Sequence, residues 1–404
     1  MADGEKLVQR SRATGEWNVM ILSRERGETY LLGNNITGTQ TAYGFIEKID
    51  PVSLEPLVRS PNLSPGGHTW CGGAVIHENG DIYVGVGDRL HRLNADCDHL
   101  AEAILPRPRA YNGVMILGDG TLITKNMEIE ADKVSTISLL NPDTLAAISP
   151  PIDMPEASMG RFAIDTQGTE QHVYIPGVST VYRYIYKGGA LKRDPSWEYK
   201  YRESDDRAHS AAWDVVISGG YCWFQDNGCN QALQHIMATS PIGASVPPRG
   251  TSWRGTADGP VHLHRVSLDD CSDAIAFAPF DLPGGSIISP PVHDPVRDIA
   301  VAFDSVNGHV GGFRIAEDGA VSKLWVKPAR TSMQMCLFPD TAELAINDFQ
   351  DGQDCVVLLD IETGRELGRA VTESRFANGM ILSAGQNRDV YYCSIGFIAR
   401  AWIE

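Results

Sequence analysis

No stretch of this sequence stays apolar for the ~20 residues that a membrane span requires, and MADGEKLVQRSRATGEW at its start has no apolar core of signal-peptide length. Neither a span nor a secretory leader is expected, and the chain reads as cytoplasmic. Positive charge is scarce: 34 Lys and Arg stand against 51 Asp and Glu, a formal charge of −17. Such a field repels nucleic acid and anionic membrane, so neither is an expected partner, and solubility is its ordinary use. Cysteine is sparse too. Cys71, Cys97, Cys222, Cys229, Cys271, Cys336, Cys355 and Cys393 are scattered without a CxxC pair, which reads as reduced strand residues rather than disulfides or a zinc site. There is no GxSxG elbow, and Ser210 beside His209 is only a sequence neighbour. Gly72-Gly73 and Gly219-Gly220 fall in or between strands rather than before a helix, so no phosphate loop is expected. No long segment has 3.6-residue periodicity, which excludes a helical solenoid.

What the sequence does have is a repeat. In RAYNGVMILGDGTLITKN (Arg109 to Asn126) two apolar runs flank Gly118-Asp119-Gly120, a β-hairpin signature because Asp-Gly tolerates the positive φ of a tight turn. Similar units begin near Asn18, Cys71, Gly160, Trp213, Ser286, Met333 and Asn378, at the roughly 40 to 60 residue spacing of propeller blades. A third strand, a turn such as Asn141-Pro142-Asp143 or Glu362-Thr363-Gly364, and a short fourth strand complete most units. The expected fold is therefore all-β: a β-propeller of eight four-stranded blades, with seven as the alternative, forming one domain over residues 1–404. The last unit stops after three strands, and the segment around Lys6 to Ser11 is expected to supply the fourth and close the ring. Two segments, Trp197 to Arg207 and a Pro/Gly/Ser-rich insertion at about 231–260, do not fit a minimal blade. The insertion reads as a lid, a binding loop or a surface excursion.

The turns IDPVSLEPLVRS, LNPDTLAAIS and LLDIETGRELGRA resemble the repeat of the quinoprotein-dehydrogenase-like, or PQQ-like, eight-bladed propellers. The resemblance implies the architecture. It does not imply PQQ, because the vicinal cysteine pair of many quinone-binding members is absent. That family also docks neighbouring blades with an outer-strand tryptophan, where Gly368 or another small residue falls here. The Asn112-Gly113 and Asn378-Gly379 openings are similar to those of the gluconolactonase and strictosidine-synthase-like propellers, which have six blades. That likeness implies asparagines that help to ligate a central divalent cation.

In a propeller the start of each innermost strand and the end of the next lie on one face. His68, Trp70, Tyr111, Asn112, Arg161, His209, Trp213, Asp214, Gln334, Arg375 and Asn378 precede or open inner strands, while Asn34, Asp88, Asn126, Asp226, Asn227, Asp304, Asn347 and Asp348 end second strands. They are expected to ring one channel mouth, although Asn and Asp at strand ends also serve turns. Oxygen donors on an axis suit a hard cation, Ca²⁺ first, with Asn112, Asp226 and Asn378 as its ligands. His68, His209 and Asp214 are candidates for acid–base work, and Arg161 and Arg375 for binding a carboxylate or oxyanion. Arg161 can equally pair with a ring carboxylate. Trp70, Tyr111, Trp213 and the insertion's Trp253 are candidate substrate contacts. His77, His91 and His264 read as packing residues, and His262 and His264 share one strand face but are two residues only, too few for zinc. The leading expectation is a small-molecule enzyme at that mouth, a cation-supported lactone or ester hydrolase. A metal-free isomerase or lyase using channel His and Arg residues is one alternative. The other is a noncatalytic protein-binding propeller, which predicts a channel blocked by apolar side chains.

Overall fold

The structure, a computed structural model, describes residues 4–24, 26–35, 42–67, 70–128, 132–166, 170–203, 206, 208–228, 258–375 and 381–404. Among the described residues the regular elements are strands apart from one turn of 3-10 helix at Pro339–Thr341, and no helix is long and apolar enough to cross a membrane. Six four-stranded antiparallel sheets follow one another along the chain, and a seven-stranded sheet joins its two ends. That larger sheet is two blades sharing one strand, so the ring has eight blades. In the shared strand, Leu7–Ser23, the stretch from Leu7 to Ala13 pairs with Ile403 to Phe397 and the stretch from Trp17 to Ser23 pairs with Asn34 to Thr29. The N-terminal segment thus supplies blade 8 with its outer strand, as expected, before turning inward to become the innermost strand of blade 1.

The turn between third and fourth strands repeats with a common chemistry. Asp50 Oδ1 accepts from the backbone N–H of Val52 and Ser53, Asn141 Oδ1 from Asp143 and Thr144, and Asp360 Oδ1 from Glu362 and Thr363. Each side chain satisfies turn amides that no strand pairs, the usual role of Asx residues there. The turn then needs a left-handed residue, and Leu54, Cys97, Leu145 and Gly364 occupy it with φ between 56° and 68°.

That left-handed residue is also where a blade meets its predecessor. Tyr30, Tyr83 and Tyr391, each the second residue of its strand, donate their hydroxyls to the turn carbonyls of Ala95, Pro142 and Pro51 of the following blade, at 2.9, 2.8 and 3.1 Å. Cys97, Leu145 and Leu54 pack in the same clusters as these tyrosines. Where an indole replaces the phenol, Trp325 Nε1 donates to Ile361 O at 2.7 Å, and glycine is required opposite it. A Cβ on Gly364 would lie 2.5 Å from the Trp325 ring. Trp197 likewise reaches the next blade, donating to Ser267 O at 2.8 Å.

Two sequence expectations change here. Trp197, placed by the sequence outside a minimal blade, lies buried in blade 4's outer strand, Ala190–Lys200. Docking tryptophans are likewise present, on the outer strands of blades 4 and 6, although blade 7 has Gly368 at that level. The insertion at about 231–260 lies mostly outside the described residues. The seven cysteines among the described residues are unpaired, and all but Cys271 are buried.

Candidate functional site

Most of the strand-end amides and carboxylates at the mouth are occupied with the backbone. Asn126 Oδ1 accepts from Thr136 N at 2.6 Å, Asn227 Oδ1 from Ser210 N at 2.7 Å, and Asn347 Oδ1 from Ser332 N at 2.9 Å. Asp304 and Asp348 bind Ser286 N and Arg330 N in the same way. Each clamps a chain segment leading into an inner or third strand, the turn role that such residues commonly have.

The axis at this level is filled. Trp17, Trp70 and Ala110 form an apolar cluster, with the two indoles edge to face at 5.8 Å. Met127 joins it to a second cluster containing Met159, Trp213, Ile287 and Met335. Apart from Met127, which follows the strand Leu122–Asn126, these residues open or lead into inner strands, so Trp70 and Trp213 are parts of a plug. Tyr111 is also buried, turned towards blade 2 with its hydroxyl accepting from Arg107 N at 3.0 Å, and burial raises its pKa to about 12.

Beside the plug lies a polar layer. Asp214 accepts from Arg161 N at 2.5 Å and from its guanidinium at 3.2 Å, and Gln334 from blade 7 donates to the same carboxylate at 3.1 Å. Arg161 thus takes the carboxylate partner offered by the ring. Lys125 is fully buried nearby, with Nζ 3.3 Å from Ser158 O. Burial lowers its pKa to about 7, against the field of Asp214, which favours its charge, while Arg161 opposes it.

Asn112 donates Nδ2 to Met159 O at 2.9 Å, and its Oδ1 has no hydrogen-bond partner among the described residues. Arg375 is exposed, while His68, Trp253 and Asn378 lie outside the described residues.

The strongest convergence is on blade 5, around Asp226. Asp226 follows the second strand, Tyr221–Gln225, and His262 precedes the third, Leu263–Ser267, so their backbones are neighbours at the mouth. Oδ1 accepts from His262 N at 2.6 Å and Oδ2 faces His262 Nδ1 at 3.0 Å. Two positions on, the same strand face carries His264, with Nε2 3.8 Å from that oxygen. His209, from the lead-in to the inner strand, brings Nδ1 to 3.6 Å from it, and its ring meets His262 edge to face at 4.4 Å.

Neither His209 Nδ1 nor His264 Nε2 has a hydrogen-bond partner among the described residues. His264 is held from behind, stacked on Phe224 at 4.4 Å with Nδ1 3.3 Å from the Tyr199 hydroxyl. His209 and His262 keep about a fifth to a quarter of their side chains exposed, at 22% and 24%, whereas His264 and Asp226 are buried at 4% each. Burial raises the Asp226 pKa, but the hydrogen bond from His262 and the nearby His264 imidazole outweigh it and hold the carboxyl down at about 2. The bond to Asp226 in turn raises the His262 pKa.

Four donors about 2.1 Å from one tetrahedral centre stand ~3.4 Å apart. The donor atoms of His209, His262 and Asp226 lie within 4.8 Å of one another, close to that spacing, whereas His264 stands near Asp226 Oδ2 alone, at 3.8 Å. The chain was expected to place His209 and Asp226 at one mouth, but in separate roles. The sequence reads His264 as a packing residue because it sits in a strand, and the His262–His264 pair as too few for zinc; His209 and Asp226, which join His262, come from segments distant in sequence.

No family model matches the sequence, and no curated protein matches it either. Its fold is similar to that of the Dos1 propeller, at 8% identity and a TM-score of 0.65 over 98% of this chain and 95% of that one. Virginiamycin B lyase from Staphylococcus aureus aligns at 11% identity and TM-score 0.50 over 98% and 99% of the two chains. A protein assigned as a 6-phosphogluconolactonase from Bacteroides uniformis aligns at 12% and 0.50 over 89% and 97%. At these identities the likeness establishes the propeller fold alone.

Proposed function

We propose that the protein is a small-molecule hydrolase of lactones or esters, supported by a divalent metal held by His209, Asp226 and His262, with His264 beside the carboxylate. The observation that carries this reading is the convergence of three imidazole nitrogens on one buried carboxylate oxygen, two of them without hydrogen-bond partners among the described residues. This donor set favours Zn²⁺ and similar first-row ions over the Ca²⁺ expected from an all-oxygen ring. A metal there polarises a carbonyl and lowers the pKa of water. Asp226 and His264 anchor the site from inside, while the partly exposed His209 and His262 face the solvent from which a substrate enters. Tyr199 and the backbone N–H of His262 orient ligands from behind, a support that metal-binding side chains usually need.

A metal-free reading has its own support. The 3.0 Å Asp226–His262 bond is that of an oriented acid–base pair suited to a lyase or isomerase. The apolar plug favours the scaffold alternative, but it fills the axis and leaves the blade 5 cluster at the rim.

The test is thermal unfolding of chelated protein with Zn²⁺, Mn²⁺, Co²⁺ and Ca²⁺ added back, followed by a panel of lactones and esters. A ligand confined to the folded state raises its stability, by about 2.7 kcal/mol at 100 times its Kd. The expected result is a rise with a first-row ion that Asp226→Asn and His262→Ala diminish, together with hydrolysis that follows metal content and that both substitutions abolish. Hydrolysis or elimination by fully metal-free protein, with no ion shifting the midpoint, would transfer the site to the acid–base reading.

A further inference from the structure

Blade 2 carries a second convergence of ligating groups, remote in the chain from the mouth cluster. His91 lies in the third strand, Arg89–Leu93, opposite Glu102 in the outer strand, His99–Ile104. Plain alternation would send His99 to the other face. A bulge between Arg92 and Leu93 pairs His99 with Leu93 and thereby turns it to the side of His91, a common structural use of bulges. The same irregularity occurs at Lys48/Ile49 and Leu358/Leu359, where Pro56 and Glu366 hold the place of His99. The backbone device is general to the fold, but the imidazole is particular to this blade.

His91 is 1% exposed, and its Nε2 lies 2.8 Å from Ser64 O. A carbonyl can only accept, so Nε2 bears the hydrogen and the neutral ring turns the Nδ1 lone pair outward. That orientation is the usual arrangement of a metal-ligating histidine, with the far nitrogen donated to a carbonyl. Nδ1 meets His99 Nε2 at 3.1 Å and Glu102 Oε2 at 3.7 Å. Glu102 gives its other oxygen to Arg89 at 3.3 Å, which leaves Oε2 for the cluster. His99 is exposed and can carry its proton on Nδ1, freeing Nε2 as a donor.

We propose that His91, His99 and Glu102 form a first-row divalent metal site on the outer edge of blade 2, with its remaining coordination positions open to solvent. Two imidazoles and one carboxylate suit Zn²⁺, Ni²⁺ or Co²⁺ and do not suit Ca²⁺ or Mg²⁺. Donors about 2.1 Å from one ion stand roughly 3.0 to 3.4 Å apart, so closure needs only a small movement of the exposed Glu102. Bound there, the ion joins the third and outer strands of the blade.

The test is calorimetric titration of chelated protein with Zn²⁺ and, separately, Ni²⁺, on wild type and the Asp226→Asn, His99→Ala and doubly substituted chains. His99 is exposed, so its loss leaves the fold intact. The expected result is one equivalent bound by Asp226→Asn that the double substitution abolishes, with a thermal midpoint that Zn²⁺ raises in the first protein and not in the second. An Asp226→Asn protein that binds no ion, or one whose titration His99→Ala does not alter, overturns the proposal. Because His99→Ala alone retains any mouth equivalent, failure of that site is read separately.

Discussion

Lys125 is the residue that the fold accommodates at greatest cost. Its ammonium is fully buried and its pKa is lowered to about 7, whereas in the unfolded chain it titrates near 10.4. Between those values the unfolded state holds the extra proton, so stability rises with pH across the window and levels off above it. Below about pH 7 the lysine is charged in both states and the cost is constant. Lys125→Met should therefore stabilise the protein at pH 8 and flatten its stability profile between pH 7 and 10, by roughly 1.4 kcal/mol per pH unit. Urea denaturation at several pH values measures this, and an unchanged slope would show that the amine reaches water. The substitution leaves no orphan, because Ser158 O also accepts from Glu128 N and Ser135 Oγ. A second residue-scale prediction separates hydroxyls that bond from one that does not. Tyr83→Phe should cost about 1 kcal/mol by freeing Pro142 O. In contrast, Tyr184→Phe should be neutral or stabilising, since the buried Tyr184 hydroxyl has no hydrogen-bond partner among the described residues. Matched denaturation curves for the two variants decide the point.

Single elements were legible in the sequence wherever one segment carries the whole signal. The Asp119-Gly120 hairpin joins Tyr111–Ile116 to Leu122–Asn126, and the LLDIETGRELGRA turn folds by its own Asp360 hydrogen bonds. Contacts between elements were not legible. The tyrosines at 30, 83 and 391 recur in phase with the repeat, in ETYLL, DIYVG and DVYYC, but their partners are carbonyls in the next blade. Trp197 looked superfluous for the same reason, its acceptor Ser267 being 70 positions away. The Asp226 site was half visible, because strand alternation places His262 with His264 but cannot join them to His209. The aromatic-to-turn latch makes a prediction at this scale. Gly364→Ala should be destabilising by about 1 to 3 kcal/mol, since its Cβ meets the Trp325 ring at 2.5 Å and its φ is +68°. Gly352→Ala, with φ +79° but open space around its Cβ, should carry the backbone cost alone. The difference in unfolding midpoints isolates the packing term, and equal midpoints would mean that the indole yields.

For the molecule as a whole, eight similar interfaces hold the ring, and one of them depends on the chain ends. Blade 8 has three strands from the C-terminal region and takes its fourth from Leu7 to Ala13, which pairs with Ile403 to Phe397. The segment also reaches its neighbours on either side: Ser11 donates to Thr372 O of blade 7 at 2.8 Å, and Arg12 pairs with Glu47 of blade 1. Because the same strand continues inward as the innermost strand of blade 1, this clasp fixes the position of two blades at once. Removing residues 1–13 would strip those contacts and leave Ile395–Ile403 as an uncovered edge, a template for pairing with another chain. At about 1 kcal/mol net per hydrogen bond the loss is several kcal/mol, large against the ~5 to 15 kcal/mol by which domains are stable. The truncated protein should unfold at clearly lower denaturant concentration and elute as dimers or larger species. A synthetic peptide of residues 4–14 added in trans should restore both the midpoint and the elution volume. An unchanged midpoint in a monomeric truncated chain would show that the other seven interfaces hold the ring without the clasp. The blade 5 cluster provides an internal control, since its side chains come from residues 209–264 and should keep their metal response in any truncated protein that remains folded.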